Sequence, residues 1–294
     1  LFSETNPLTN DDEALALYLC YELHYRGVPG CDPEWEWEPS LLKLRKVLEH
    51  RYLNALRKHV LPLSQNLRAR EVVSRLAGAE GPSLSRYLEE YGTIEQFREF
   101  AIHRSAYQLK EADPHTWAIP RLTGRSKTAL VFIQYEEYGE GELEEMHSVL
   151  FAKTMDALGL NSGYGHYIDR IPGLTLSTIN LISLFGLHRR WRGALVGHLA
   201  LFEMVSTKPN ASYATGLRRL GFTDEATRFF DAHVVADATH EVIALEQLLG
   251  GLVDNETAIE PDVVFGATSL AYLDGLFTTR LLDAWRIGRS SLLP

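Results

Sequence analysis

Apolar residues recur along this chain every three or four positions and rarely alternate strictly with polar ones. A period near 3.6 marks helices with one buried face, whereas half-buried strands need a period of two. The pattern predicts helices over 12–27, 40–60, 66–78, 84–91, 94–112, 121–138, 142–159, 175–187, 189–207, 211–220, 223–251 and 261–288, an all-α fold packed as a bundle. Local signals support several of the starts. Asn10-Asp11-Asp12 is an N-cap region, and Thr93 with Gln96 three residues on forms a capping box. Thr223-Asp224 and Glu260-Pro261 open two later helices.

The breaks are equally legible. Residues 28–39 (VPGCDPEWEWEP) carry three prolines and two tryptophans and read as a structured loop. Asp113-Pro114-His115 ends the helix before it, and Gly159, Gly163, Gly165 and Pro172-Gly173 mark an irregular connection. There is no repeat, no low-complexity segment and no flexible linker. We expect residues 1–92 to form a helical accessory region, either a layer on the core or a homodimer contact, and residues 93–294 to form the core, the two making one continuous domain if no linker divides them.

Composition narrows the function. The chain has 294 residues, of which 45% are hydrophobic, enough for a sizeable core. A formal net charge of -10 argues against nucleic-acid binding and against docking on anionic membranes. No apolar run reaches the roughly 18 residues of a membrane span. Cys20 and Cys31 form no CxxC pair and no zinc-ribbon spacing, and Leu1–Asn6 does not read as a secretory leader, so a reducing cytoplasm is the expected setting.

Candidate chemistry sits in four places. His233, Asp237 and His240, in DAHVVADATH, fall at i, i+4 and i+7 and share one helix face. Two imidazoles and a carboxylate projecting together suit a first-row transition metal; a solvated polar stripe or a zinc site would give the same spacing. His147 follows Met146 and precedes Val149, Leu150 and Phe151, as a ligand or a satisfied core histidine would. Upstream of it lie Glu136, Glu137, Glu140, Glu142, Glu144 and Glu145, most of which must be surface charge. Glu203 interrupts an apolar run from Leu199 to Val205, and a buried glutamate needs a partner unless it points outward. Glu111, at a helix end, stands out only in company with the others.

As an ordered set these residues resemble the haem-oxygenase-like diiron oxidases, which hold two non-haem irons in a haem-oxygenase-type helical bundle. Glu111, then Glu137-Tyr138-Gly139-Glu140-Gly141 leading to Met146-His147-Ser148, then Glu203, then His233-x3-Asp237-x2-His240 are similar in order and spacing to the family's amine N-oxygenases. The likeness covers residues 104–246 and leaves the first ~90 residues as additional N-terminal helices. It implies a ligand set of Glu111, Glu137, His147, Glu203, His233, Asp237 and His240, holding two iron ions that cycle between Fe2+ and Fe3+. It also implies O2 as co-substrate, an external electron donor in some reactions, and a small-molecule substrate, often an amino acid or an amine. N-oxygenation, desaturation and oxidative C–C cleavage are all outcomes in that family, many in natural-product biosynthesis. The charges agree: four carboxylates would balance two ferrous ions.

Glu137 and Glu140 compete for one place. In a regular helix Glu140, seven residues before His147, shares its face, whereas Glu137 is turned about 80° away. Gly139 and Gly141 disfavour a regular helix there, each by about 1 kcal/mol, and the resemblance selects Glu137. Other readings remain at this stage: a haem oxygenase with one axial histidine such as His147, a ferritin-like iron store, a Mn/Fe oxidase, or a helical scaffold without chemistry. Arg121, Arg125 and Lys127 form a basic cluster suited either to a substrate carboxylate or to a solvated helix face. Tyr135, Tyr138, Tyr164 and Tyr167 are candidates for a pocket or for core.

Overall fold

The periodic segments fold as helices, and among the described residues there is no strand. The computed structural model describes residues 6–60 and 67–294, with the backbone alone for Asp237 and Ala238. The N-terminal helices are α1 (Asp11–Glu22), α2 (Pro39–Arg57), α3 (Ala69–Ala77) and α4 (Leu84–Glu90). They are followed by α5 (Ile94–Gln108), the single turn α6 (Asp113–Thr116), α7 (Gly124–Glu137), α8 (His147–Ala157) and α9 (Gly173–Leu187). The last are α10 (Arg192–Arg219), α11 (Asp224–Val242), α12 (Gly250–Asn255) and α13 (Glu260–Arg286). The expected start of a helix at residue 66 and the reading of residues 1–5 lie outside the described residues.

Several caps form as the sequence suggests. Asn10 accepts from the Glu13 N–H at 2.8 Å. Thr93 and Gln96 exchange side chain–backbone bonds of 3.0 and 3.3 Å. The 28–39 loop contains a short 3-10 turn, Pro33–Trp37.

α10 is the central helix, packed against α11, α13, α4 and α9. Its crossing with α13 is close because each helix offers a glycine: a Cβ on Gly197 would strike the Val263 backbone, and one on Gly266 the Ala194 backbone. The N-terminal helices share the main core. Leu17 and Tyr21 of α1 and Leu56 of α2 join Leu181 and Phe185 of α9 and Ala194 of α10 in one buried cluster. A second cluster, with Phe97, Phe151, Leu217, Phe229 and Phe277, fills the opposite end.

Five boundaries differ from the periodicity, the first being that of α1, which ends at Glu22 and not at 27. α10 is continuous through Pro209, where a break between 207 and 211 was expected. The proline removes one helical hydrogen bond, to the carbonyl of the partly exposed Val205, while Tyr213, Ala214 and Leu217 carry the buried face onward. The 94–112 segment stops at Gln108, which puts Glu111 in a turn. The 142–159 segment becomes helical only at His147, after two 3-10 turns. The 223–251 segment is helical throughout but passes through a π-helical stretch, Ile243–Leu249, three residues after His240. Such widened turns occur often at functional sites.

His103 ties α5 to α9 and to the C-terminal tail, with ring nitrogens 2.9 Å from Thr175 Oγ1 and 3.0 Å from Ser291 Oγ. Burial, with Arg104 and Arg280 nearby, lowers it to about 3. The unfolded chain takes up this proton near pH 6.5 and the folded chain does not, so the histidine's contribution is complete above pH 6.5 and is lost as pH falls toward 3. Urea unfolding between pH 6.5 and 4 should show stability declining more steeply in the wild type than in His103→Gln, by about 1.4 kcal/mol per pH unit. Equal slopes would mean that His103 titrates alike in both states.

Candidate metal centre

Five segments bring six ionisable side chains to one buried place. Glu111 comes from the turn after α5, Glu137 from the last residue of α7 and His147 from the first residue of α8. Glu203 comes from mid-α10, and His233 and His240 from one face of α11. All six are buried.

The loop between Glu137 and His147 explains how residues ten apart meet. Gly139 adopts φ 69°, where a Cβ would overlap the backbone of Glu145 and Met146. Glu140 follows at φ 56° with its side chain in solvent. With Gly141 at φ 91°, three successive left-handed residues turn the chain back so that His147 Nδ1 lies 2.7 Å from Glu137 Oε2. The other acids of this stretch behave as surface charge: Glu144 pairs with Lys153 and Glu145 with Arg228. A second strained residue, Ala112 at φ 73°, follows Glu111 directly.

Two groups of potential ligand atoms result. Glu111, Glu137, His147 and His233 have one donor atom each within 4.8 Å of one another, and so do Glu137, Glu203 and His240. Metal–ligand bonds of about 2.1 Å put opposite ligands about 4.2 Å apart, so each group has the dimensions of one site. Glu137 belongs to both. Its two oxygens face different groups: Oε2 faces His147, and Oε1 lies 3.7 Å from His240 Nδ1.

The donor atoms suit a cation. His147 Nδ1 has no hydrogen-bond partner among the described residues, because its short approach to Glu137 is not aligned as a hydrogen bond. Glu111 Oε2 is likewise buried without a partner. His233 Nδ1 donates to the Phe229 carbonyl at 2.8 Å, which turns Nε2 toward Glu111, 3.6 Å away. Such a bond from the outer nitrogen is the usual way a metal-binding histidine is oriented. The rings of His147 and His233 lie 4.2 Å apart, centre to centre.

Electrostatics compensates for burial. Desolvation alone would raise the Glu137 carboxyl, but His147, His233 and His240 hold it down to about 2. Burial would lower His240, but Glu203, Glu137 and Glu136 raise it to about 9.

Of the seven residues singled out in the sequence, six meet here. The Asp237 side chain lies outside the described residues; its backbone is in α11 between the two histidines. Three participants were missed. Glu136 Oε2 lies 2.7 Å from His240 Nε2, on the far side of the ring from Glu137 and Glu203. His115 and Tyr107 line a closed cavity of about 10 Å³ beside Glu111, Glu137 and Glu203. Only the nearness of His115 to Glu111 in DPH hinted at it; Glu136 and Tyr107 carried no signal.

The substrate-binding cluster does not converge on this centre. Arg121 donates to the carbonyls of Gly186 and Leu187, at the end of α9. Arg125 and Lys127 sit at the start of α7, about 18 Å of helix from Glu137. Tyr138 binds Asp113, Tyr164 binds Glu22, Tyr135 is exposed, and Tyr167 packs against the core.

Buried carboxylates and imidazoles held by an all-α bundle define a class of metal-dependent helical proteins. The chain belongs to the iron-containing redox enzyme family, whose profile matches residues 98–275, more than half of the chain. That family is all-α and haem-oxygenase-like. The chain is also similar to a nitrosourea synthase from Streptomyces achromogenes subsp. streptozoticus, 28% identical over 160 residues, which are 54% of this chain and 34% of that relative. The chain thus spans about a third of that relative's length.

Two comparisons test the geometry. Glu137→Ala should lower iron affinity at least 100-fold, since it touches both groups, whereas Glu140→Ala should bind iron as the wild type does; the reverse result would move the ligand to Glu140. Glu136→Ala should weaken binding about 10- to 100-fold, the usual effect of losing a partner that orients a ligand. Glu136→Gln, which still accepts from His240, should recover most of it. Equal loss in both variants would show that Glu136 acts through its charge or as a ligand.

Proposed function

We propose that this chain is an O2-dependent non-haem diiron oxidase that oxidises a small amine or amino-acid-like metabolite at nitrogen. The observation that carries the reading is the pair of ligand groups sharing Glu137. A scaffold without chemistry has no need of a shared carboxylate with each oxygen aimed at a different histidine. A haem held by one axial histidine would leave the buried carboxylates Glu111, Glu137 and Glu203 without a role.

In this reading Glu111, His147 and His233 hold one iron, Glu203 and His240 hold the other, and Glu137 bridges. Asp237, between the two histidines in the sequence of α11, would join the set by that place. Two irons would supply the redox chemistry that no side chain can. The protein's own work is to keep the site dry, to hold His233 and His240 by their outer nitrogens, and to position the substrate. His115, with its ring nitrogen 3.3 Å from His198, is held neutral by burial, down to about 4, and offers the cavity an uncharged polar wall.

N-oxygenation of a primary amine balances as amine plus O2, two electrons and two protons giving a hydroxylamine and water, so an external two-electron donor is required. The likeness to a nitrosourea synthase, whose product by name carries an oxidised nitrogen, favours nitrogen as the target. Oxidative C–C cleavage or desaturation at the same centre is the second reading, favoured by the range of chemistry in the family that the motif set resembles. The substrate, the donor, a homodimer and a cytoplasmic setting belong to the same proposal.

Anaerobic reconstitution with ferrous iron should give about two irons per chain and no Soret band when haem is offered. Adding O2 should then show consumption stimulated by some member of a panel of amines and amino acids, with hydroxylamine or nitroso products by mass spectrometry. One iron or fewer at saturation, with and without the stimulating compound, would overturn the diiron reading. Carbon-centred products alone would shift the reaction to the second reading.

A further inference from the structure

The turn that carries Glu111 is held from outside the family-matched region. Glu22, the last residue of α1, forms an ion pair with Lys110, and both side chains are almost fully buried. Lys110 directly precedes Glu111. Its ammonium also lies 4.7 Å from the ring centre of Tyr18 and 4.4 Å from that of Tyr25, and Tyr164 donates its hydroxyl proton to the other oxygen of Glu22. Arg26, just beyond α1, donates to the Leu109 carbonyl at 3.0 Å. From the opposite side, Gln134 of α7 donates to the Ala112 carbonyl at 2.8 Å. The turn 109–112 is thus gripped on both flanks of Glu111, and Ala112 keeps its left-handed backbone within that grip.

A buried lysine–glutamate pair adds little stability, since replacing both partners by apolar groups of similar size is often neutral. What such a pair does supply is a fixed geometry. Without it, the turn after α5 would be tied to its surroundings by two main-chain carbonyls, and nothing would set the height of Lys110 above α1.

We propose that Glu22 and Lys110, helped by Arg26, are positioning residues that fix Glu111 for the metal, so that α1 is a working part of the centre although it lies outside the family match. The inference rests on the reading of Glu111 as a ligand. It gives the N-terminal helices a role beyond covering the core.

The test is anaerobic calorimetric titration with ferrous iron, compared across four proteins whose melting is measured metal-free. Glu22→Gln/Lys110→Met removes both charges and keeps an acceptor for the Tyr164 hydroxyl. It should melt close to the wild type yet bind iron at least tenfold more weakly at one of two positions, the other unchanged. Arg26→Gln, altering a half-exposed side chain, should fold normally and show a smaller loss at the same position, which keeps the test open should the double variant fail to fold. Glu13→Gln/Arg51→Met removes the ion pair that ties α1 to α2 and should bind iron as the wild type does. Glu111→Ala should lose the affected position altogether. Wild-type binding in both the Glu22/Lys110 and Arg26 variants, with Glu111→Ala impaired, would overturn the clamp alone. Wild-type binding by Glu111→Ala would remove the ligand reading and the clamp with it. Equal loss in the Glu13/Arg51 variant would show that α1 acts only by general packing.

Discussion

Three carboxylates sealed inside a helical bundle are the constraint on which this structure turns. Glu111, Glu137 and Glu203 are each at most 7% exposed and face a common centre. Each loses several kcal/mol of hydration on burial, and they repel one another. The bundle tolerates this only because cationic partners are supplied at the same place. Histidines do part of it, which is why Glu137 is held low and His240 high. They do not complete the hydrogen bonding of every group: Glu111 Oε2 has no hydrogen-bond partner among the described residues, and His147 Nδ1 meets the Glu137 carboxylate at 2.7 Å without hydrogen-bond alignment. A fold that carries such an arrangement has been shaped for a cation to complete it.

Much of this was legible in the sequence, for identifiable reasons. Helices announce themselves by period, so the all-α class and most element positions follow from apolar spacing. Glu203 was conspicuous because an acid within Leu199–Val205 breaks a local pattern, and His233 with His240 because seven residues return to one face. What failed to show was whatever depends on distant chain segments. Glu136 looks like any surface acid until His240, over a hundred residues away, is placed beside it. Pro209 read as a break because propensity is local, while the buried face that carries α10 through it belongs to other helices. The basic cluster of Arg121, Arg125 and Lys127 could be read as a substrate site as well as a solvated helix face because sequence nearness to Glu137 hides the length of helix between them.

The helix ends matter more than the helices. A regular α7 running into α8 would turn Glu137 away from His147, so the chain breaks between them, with three successive residues, Gly139, Glu140 and Gly141, in the left-handed region. Ala112 makes the same kind of departure beside Glu111. Strained backbone of this sort costs about 1–3 kcal/mol per residue and persists only where surrounding contacts over-determine it. Here the contacts are visible: Gln134 and Thr116 brace the turn after Glu111, and Tyr138 bridges Thr116 and Asp113. Tyr138, read from sequence as a possible pocket residue, serves instead as a strut.

The two halves of the centre are therefore built on different principles. Glu203 and His240 project from helix interiors, where position is set by the packing of α10 on α11 and changes only if a whole helix moves. Glu111, Glu137 and His147 project from helix ends, where a few hydrogen bonds decide the geometry and small shifts come easily. His233 alone joins the second group to a helix interior, and its outer nitrogen is tied within its own helix, to Phe229. A site of helix ends needs external ties to be precise, and the ties to the Glu111 turn come from α7 on one side and α1 on the other. That asymmetry makes sense of the expensive ion pair between Glu22 and Lys110: the half of the centre with the least helical support is the half to which the N-terminal helices reach.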